Sequence, residues 1–156
     1  MIPVPGAKRP TTTPTRARLL AEARTWLGTP YHHQMSVKGL GTECLGLVRG
    51  LWRGLYGAEP EPVPAYSRDW AEASGRETLL VSARRHFTPI EPAEARPGDL
   101  LVFRYRQGSA AKHVGLLTGP ATLIHACESG PVCEIVLTPW WRRRIAAVFA
   151  FPDIGP

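Results

Sequence analysis

The sequence is poor in cysteine and has no long apolar run. It contains three cysteines in 156 residues, and Cys127 and Cys133 lack the Cys-x-x-Cys spacing of ordinary zinc sites. An odd number of thiols argues against a disulfide framework and favours synthesis in a reducing compartment. No stretch approaches the roughly 20 apolar residues of a membrane-spanning helix, and residues 1–8 lack the apolar segment of a signal peptide. We therefore expect no membrane insertion and no export by the general secretory route.

The composition is that of one folded unit with a basic N-terminal segment. Hydrophobic residues make up 44% of the chain and charged residues 21%, which is ordinary for a globular domain long enough to bury a core. Residues 1–14 are rich in proline and threonine and carry no acidic side chain. We expect a flexible basic arm over residues 1–14 and a single domain over residues 15–156.

Cys44 lies between a glycine-marked loop and an apolar pattern with helical spacing. The pattern ends at Gly57, a typical helix stop. A thiol in the first turn of a helix faces unpaired N–H groups and the positive end of the helix dipole, which favours its thiolate. This position predicts a nucleophile, and the alternative is a free cysteine that only fills the core. The apolar face consists of Cys44, Leu47, Val48, Leu51, Trp52 and Leu55.

Two histidines flank a predicted hairpin around Gly119-Pro120. If Leu117 pairs with Ala121, His113 lies directly opposite His125, with side chains on the same face and about 5 Å apart. A shift of one residue would move the two imidazoles to opposite faces. The predicted pairing therefore brings one imidazole within reach of the other.

The three residues together match the requirements of nucleophilic catalysis. We assign Cys44 as nucleophile, His113 as general base and acid, and His125 as the residue that orients the base. Either histidine taken alone is better explained as an ordinary core or surface residue, and the three side chains together could instead bind zinc. The thiol at a helix start favours nucleophilic chemistry, so we expect no metal and no cofactor.

These residues resemble the NlpC-like cell-wall peptidases, papain-related cysteine endopeptidases that cut the stem peptides of bacterial peptidoglycan. The resemblance covers residues 15 to 127 and implies a papain-like fold with peptidoglycan as substrate. The matching segments follow the family's order: Gly28-Thr29-Pro30-Tyr31, Thr42-Glu43-Cys44-Leu45-Gly46, Arg96-Pro97-Gly98-Asp99-Leu100, His113-Val114-Gly115 and Ile124-His125-Ala126.

The resemblance also implies roles for Tyr31 and Glu43. Tyr31 resembles the family tyrosine beside the nucleophile, whose hydroxyl helps to bind an oxyanion; the alternative is a tyrosine packed at a loop corner. Glu43 stands where the family usually has aspartate. Its longer side chain is expected to change how the amino group of the substrate is held. An adjacent carboxylate also opposes thiolate formation. His32 and His33 are expected to line the cleft.

A finer resemblance is to the tail peptidases of phages and gene-transfer agents. It is carried by the segments Tyr31-His32-His33-Gln34 and Cys44-Leu45-Gly46-Leu47-Val48-Arg49-Gly50-Leu51-Trp52-Arg53. It implies a particle component that is made in the bacterial cytoplasm, docks on tail or baseplate proteins and opens the cell wall for DNA delivery. The expected bond lies between D-glutamate and the diamino acid. A catalytically silent tail or hub protein and a thiol acyltransferase remain alternatives.

The order of predicted elements indicates an α+β fold. Thr15 is expected to cap a first helix that ends at Gly28, the helix of Cys44 follows, and a third helix is expected over residues 69–86. These helices are expected to pack on an antiparallel meander of about five strands. The strands are predicted at residues 100–105, 113–118, 121–127, 133–138 and 145–151.

The chain carries a formal charge of +6. Such a charge suits a polyanionic surface, either nucleic acid or a carboxylate-rich wall. Its basic clusters, including Arg142-Arg143-Arg144, are not interleaved with aromatic residues as in nucleic-acid motifs. We therefore expect no specific nucleic-acid partner.

Overall fold

A computed structural model gives the fold of residues 13–60 and 77–156. Within these ranges the N-terminal half is mainly helical, and the C-terminal half forms the main sheet. The elements in chain order are α1 (Arg16–Thr25), β1 (Ser36–Val37), β2 (Gly41–Thr42), α2 (Cys44–Tyr56), α3 (Thr78–His86), β3 (Thr88–Ile90), a 3-10 turn (Pro92–Glu94), β4 (Leu100–Phe103), β5 (His113–Gly119), β6 (Thr122–Cys127), β7 (Gly130–Val136), α4 (Pro139–Arg142) and β8 (Ile145–Ala150).

Helix α1 begins at the predicted cap. The Thr15 hydroxyl accepts a hydrogen bond from the backbone N–H of Arg18, 3.1 Å away, and so satisfies one free donor of the first turn. Beyond the helix, Gly28 has a φ of 85°, a conformation that glycine adopts without strain. Arg16 forms a buried ion pair with Asp99 at 2.8 Å, which ties α1 to the turn before β4.

Helix α2 packs closely against α1 because glycines line the contact. Leu47, Leu51 and Leu55 form its buried face, as the spacing predicted. On the side facing α1, a Cβ added at Gly50 would overlap the Trp26 indole. The helix ends at Gly57, whose N–H bonds to the Arg53 carbonyl, and this stop is also as predicted.

The main sheet has six antiparallel strands in the described part of the chain, in the order β3-β8-β4-β5-β6-β7. The five predicted strands are present, although the boundaries of β4 and β7 differ from the prediction by two or three residues. The prediction of a plain meander is wrong, because the last strand inserts between β3 and β4. Strand β3 was not predicted; it is three residues long and contains Pro89, so it carries little strand pattern.

The hairpin register also differs from the prediction. Leu117 pairs with Leu123 rather than Ala121, and Gly119 pairs with Thr122 across a bulge. His113 and His125 are therefore not direct partners. Because the shift is two residues and not one, both side chains stay on the same face of the sheet.

Two sequence predictions fall partly on residues outside the described ranges. The third helix is described only as Thr78–His86, and residues 69–76 of the prediction lie outside. Of the expected arm, only residues 13 and 14 are described. In the ranges that are described, no helix is long and apolar enough to cross a bilayer.

Candidate active site

The thiol of Cys44 sits at the first residue of α2. Thr42 ends β2 and donates its backbone N–H to the Pro30 carbonyl at 3.0 Å, so the chain enters the helix in a fixed direction. Backbone N–H groups of Val114, Leu45 and Cys44 itself hydrogen-bond to the sulfur. The start of helix α2 and the beginning of strand β5 therefore both supply N–H donors to this sulfur.

The backbone donors at the helix start favour the thiolate, as expected, but other effects on Cys44 outweigh them. Burial and, to a smaller extent, the neighbouring Glu43 carboxylate together raise the pKa of Cys44 to about 12. The backbone donors lower this pKa, but they do not offset the loss of water around the sulfur. In the free protein the neutral thiol is thus the favoured form.

His113 and His125 meet through their ring nitrogens. The Nε2 atom of His113 lies 2.9 Å from Nδ1 of His125, and both residues are buried. This contact leaves Nδ1 as the ring nitrogen of His113 that is not engaged by His125. The backbone N–H of Val114, the next residue, donates to the Cys44 sulfur, so His113 lies on the strand that reaches the thiol. The structure brings the residues predicted as base and orienting group into contact, and the direct contact of His113 with Cys44 stays a prediction.

Burial and, to a smaller extent, the adjacent His125 together lower the pKa of His113 to about 3. Burial likewise lowers the pKa of His125. The enclosure of His113 is aromatic, since Phe103, Tyr105 and Trp141 all lie within 6 Å of its ring centroid. The neutral forms of the His113 imidazole and of the Cys44 thiol are therefore both favoured.

Glu43 is buried beside the nucleophile. Its Oε2 atom lies 3.7 Å from Nδ1 of His33, while Oε1 is buried and accepts no hydrogen bond from the described residues. Burial raises the pKa of this carboxyl, and His33 and Arg49 oppose that rise. His33, expected among the cleft residues, thus contacts Glu43, whereas His32 is exposed.

Tyr31 lies next to the same helix start. It forms an isolated bridge with Thr42, two residues before Cys44, and interacts electrostatically with Tyr105. Tyr105 in turn interacts with Cys44, and burial raises its pKa. The predicted tyrosine therefore lies near the site, together with a second tyrosine that the sequence did not single out.

Sequence reasoning missed the aromatic residues around His113. Tyr105 lies in the connection between β4 and β5, and Trp141 lies in α4, a four-residue helix after Pro139. The only sequence signal was the local density of aromatics in Trp140-Trp141, which says nothing about what they contact. Among the described residues, no group of three or more His, Cys, Asp or Glu side chains is arranged to hold a metal ion.

The comparison with protein families identifies the family to which the chain belongs. The family model described as the NlpC/P60 family matches residues 28–149, most of the chain. The chain belongs to the NlpC/P60 family. The resemblance predicted from the sequence is thereby confirmed at family level, while the phage and gene-transfer-agent branch stays a prediction.

Two curated relatives and one solved structure illustrate the range of the NlpC/P60 match. Murein DD-endopeptidase MepS/Murein LD-carboxypeptidase of Escherichia coli is 26% identical over 83% of this chain and 59% of its own length. Gamma-D-glutamyl-L-lysine dipeptidyl-peptidase of Bacillus subtilis is 29% identical over 71% of this chain and 32% of its own length. This chain therefore spans less than two thirds of the length of either relative.

A crystal structure of an NlpC/P60 family protein from Bacillus cereus has a TM-score of 0.67 with this chain. It is 21% identical, and the match covers 92% of this chain and 42% of that one. At this identity the likeness shows the fold alone. The predicted α+β class, with helices packed on an antiparallel sheet, is confirmed.

Proposed function

We propose that this NlpC/P60 protein is a cysteine peptidase that hydrolyses amide bonds in the stem peptides of bacterial peptidoglycan. The observation that carries the proposal is the hydrogen-bonded imidazole pair of His113 and His125, on strands β5 and β6, together with the donation from Val114 of β5 to the sulfur of Cys44 at the start of α2. The names of the relatives support the substrate class, since one is named for murein and the other for a γ-D-glutamyl-L-lysine bond.

The proposed reaction begins with attack of the Cys44 sulfur on the amide carbonyl. Nδ1 of His113 takes the thiol proton, and the oxyanion is held by the backbone N–H of Cys44 and by the Tyr31 hydroxyl. Collapse of this intermediate breaks the C–N bond, and His113 returns the proton to the leaving amine. Water, deprotonated by His113, then hydrolyses the thioester and restores the thiol.

The order of proton transfer follows from the pKa values of the free site. Because the pKa of Cys44 is raised and that of His113 is lowered, an ion pair is unfavourable before substrate binds. Proton transfer to His113 therefore accompanies the attack on the carbonyl and does not precede it. His125 supports this step by accepting the Nε2–H of His113, which leaves Nδ1 free to act as base.

Glu43 is proposed to contact the amino group of the substrate. Its Oε1 atom is buried without a hydrogen bond from the described residues, and a buried carboxylate oxygen gains most from a cationic partner. Binding of an ammonium group would also offset the charge that opposes thiolate formation at Cys44. Substrate binding and activation of the thiol are then coupled through one side chain.

We place the scissile bond between D-glutamate and the diamino acid. The name of the Bacillus subtilis relative describes a γ-D-glutamyl-L-lysine bond, whereas that of the Escherichia coli relative describes a DD bond. The resemblance of the α2 sequence to phage and gene-transfer-agent tail peptidases supports a role in a particle tail. In that role the protein acts in the periplasm or cell wall, with tail or baseplate proteins as partners.

Digestion of purified peptidoglycan tests the proposal. Wild-type protein is expected to release fragments whose masses correspond to cleavage after D-glutamate, and Cys44→Ala is expected to release none. Cys127→Ser is a matched control that removes a thiol elsewhere and is expected to behave as wild type. Equal product from wild type and Cys44→Ala would contradict the nucleophile assignment, and no product from either would favour a structural tail protein.

A further inference from the structure

Tyr105 packs against the proposed base from a loop that contains no predicted site residue. Its ring centroid lies 5.8 Å from that of His113, with 22° between the planes. Trp141 lies 5.7 Å from His113 and 6.2 Å from Tyr105. These three distances form a nearly equilateral triangle, so Tyr105 and Trp141 meet His113 along adjacent sides and do not sandwich it.

The contact with Tyr105 restrains tilting of the His113 imidazole, which the hydrogen bond to His125 does not prevent. The 2.9 Å contact between Nε2 of His113 and Nδ1 of His125 holds one atom of the imidazole in place. A ring held at one atom can still tilt, and tilting changes the direction in which Nδ1 of His113 points. A nearly parallel aromatic ring opposes this tilt because it would overlap the turning imidazole.

Tyr105 is itself held by its neighbours. The guanidinium Nε of Arg144 donates to the Tyr105 carbonyl at 3.3 Å, and the Lys112 ammonium lies 5.4 Å from the centre of the tyrosine ring. Arg104, one residue earlier, donates its backbone N–H to the Arg144 carbonyl at 2.8 Å. The ring therefore occupies its place before any substrate arrives.

Glu77 fastens both ends of the loop that carries Tyr105. Its carboxylate accepts hydrogen bonds from the Arg104 guanidinium and, at 3.0 Å, from the backbone N–H of Ala111. The connection from β4 to β5 is thus anchored to the start of α3 immediately before and after its turn. Because this loop is anchored at both ends, the Tyr105 ring that it carries is held in place.

We propose that Tyr105 is a positioning residue whose ring, supported by Trp141, fixes the plane of the His113 imidazole so that Nδ1 faces the Cys44 sulfur. The role belongs to the ring and not to the phenol hydroxyl. The inference rests on the proposed function only in treating His113 as the base toward Cys44, and it makes no use of the identity of the substrate.

The test compares Tyr105→Phe, which keeps the ring, with Tyr105→Leu, which removes it. Alkylation of Cys44 by iodoacetamide, followed by mass analysis of the Cys44 peptide across pH, needs no peptidoglycan. We expect Tyr105→Phe to follow the wild-type profile and Tyr105→Leu to react about tenfold more slowly near neutral pH, because misplacement of a base by a fraction of an ångström costs rate. On muropeptides, Tyr105→Leu is expected to lower kcat by a similar factor with little change in KM.

Two results would overturn the proposal. A wild-type profile for Tyr105→Leu would show that the ring does not position the base, and an equal loss in Tyr105→Phe would assign the effect to the hydroxyl. If Tyr105→Leu does not fold, histidine NMR of wild type and Tyr105→Phe replaces it: one tautomer and one set of His113 signals is expected in both proteins. Averaged or doubled His113 signals in wild type would contradict a fixed ring.

Failure of this inference is distinguishable from failure of the proposed function. If the wild-type protein cuts no peptidoglycan but Tyr105→Leu still slows alkylation of Cys44, the positioning role stands and the proposed substrate is wrong. If the wild-type protein cuts peptidoglycan and Tyr105→Leu has the same kcat, the proposed function stands and the positioning role is wrong.

Discussion

Nε2 of His113 lies 2.9 Å from Nδ1 of His125, although the two residues are not cross-strand partners. One proton is shared along this contact, so the two tautomers are linked. If Nδ1 of His113 is to accept a proton from Cys44, Nε2 must carry its proton and Nδ1 of His125 must accept it. His125 therefore sets which nitrogen of the base is free.

This linkage predicts the effect of changing His125. In His125→Ala, Nε2 of His113 has no acceptor, so we expect kcat to fall roughly 10- to 100-fold with a smaller change in KM. His125→Asn retains an acceptor oxygen and is expected to recover part of the loss. Steady-state kinetics on a defined muropeptide measures both, and a kcat in His125→Ala equal to wild type would show that the tautomer is set by another group.

A second prediction concerns the charge beside the nucleophile. Because the Glu43 carboxylate raises the pKa of Cys44, Glu43→Gln is expected to lower this pKa and to shift the alkylation profile of Cys44 toward lower pH. The same change removes the proposed contact for the substrate's amino group and is expected to raise KM. Glu134→Gln, which removes an exposed carboxylate paired with Arg24, is the matched control. An unshifted profile in Glu43→Gln would mean that burial alone determines the pKa of the thiol.

The buried base also predicts how stability depends on pH. His113 has a pKa of about 3 in the folded protein and an ordinary value of 6.5, so below pH 6.5 the unfolded chain binds a proton that the folded protein does not. The free energy of unfolding therefore decreases as the pH is lowered through this range. The contribution of His113 to this decrease is about 2 kcal/mol between pH 7 and pH 5.

Urea unfolding at pH 7 and pH 5 measures this dependence. His113→Gln lacks the titrating group and is expected to lose less stability than wild type over the same interval. The pKa of His125 is also lowered, so His125 is expected to contribute to the pH dependence of stability in both proteins. His113→Gln is therefore expected to keep only this contribution from the histidine pair. Equal losses in wild type and His113→Gln would contradict the assignment of a neutral, buried His113.

A fourth prediction concerns the close contact between α1 and α2. A methyl group at Gly50 would overlap the Trp26 indole in the core, so Gly50→Ala is expected to lower the free energy of unfolding by about 2 kcal/mol. At Gly54 the added Cβ would lie 3.0 Å from Cγ of Glu22, a flexible side chain, and alanine favours the helix. Gly54→Ala is therefore expected to be neutral or stabilising. Equal destabilisation by both substitutions would contradict the role given to the indole contact.

The elements of the candidate site were predictable from the sequence where one local signal determined them. Thr15 caps α1 and Gly57 ends α2 because capping chemistry acts within a few residues. Cys44 was placed at a helix start by the apolar spacing that follows it. The two histidines were placed on one face because strand periodicity determines the face even when the register is two residues off.

The remainder depends on contacts between distant segments. The hairpin register depends on a bulge at Leu117 to Gly119, which no residue type in the turn specifies uniquely. The position of β8 between β3 and β4 depends on sheet assembly. The rise in the pKa of Cys44 comes mainly from burial, whereas the sequence shows only the helix start and the adjacent Glu43. Tyr105 acquires its place from Arg144 and Glu77, both far from it in the chain.

The central claim is that Cys44 forms a covalent bond to the substrate with His113 as its base. Acid quenching of wild-type protein during turnover of a defined muropeptide, followed by mass analysis of the Cys44 peptide, tests it most directly. The account predicts an adduct on Cys44 with the mass of the acyl fragment, absent from Cys44→Ala and strongly reduced in His113→Gln. Turnover of the same muropeptide by Cys44→Ala, or an adduct on another residue, would contradict it.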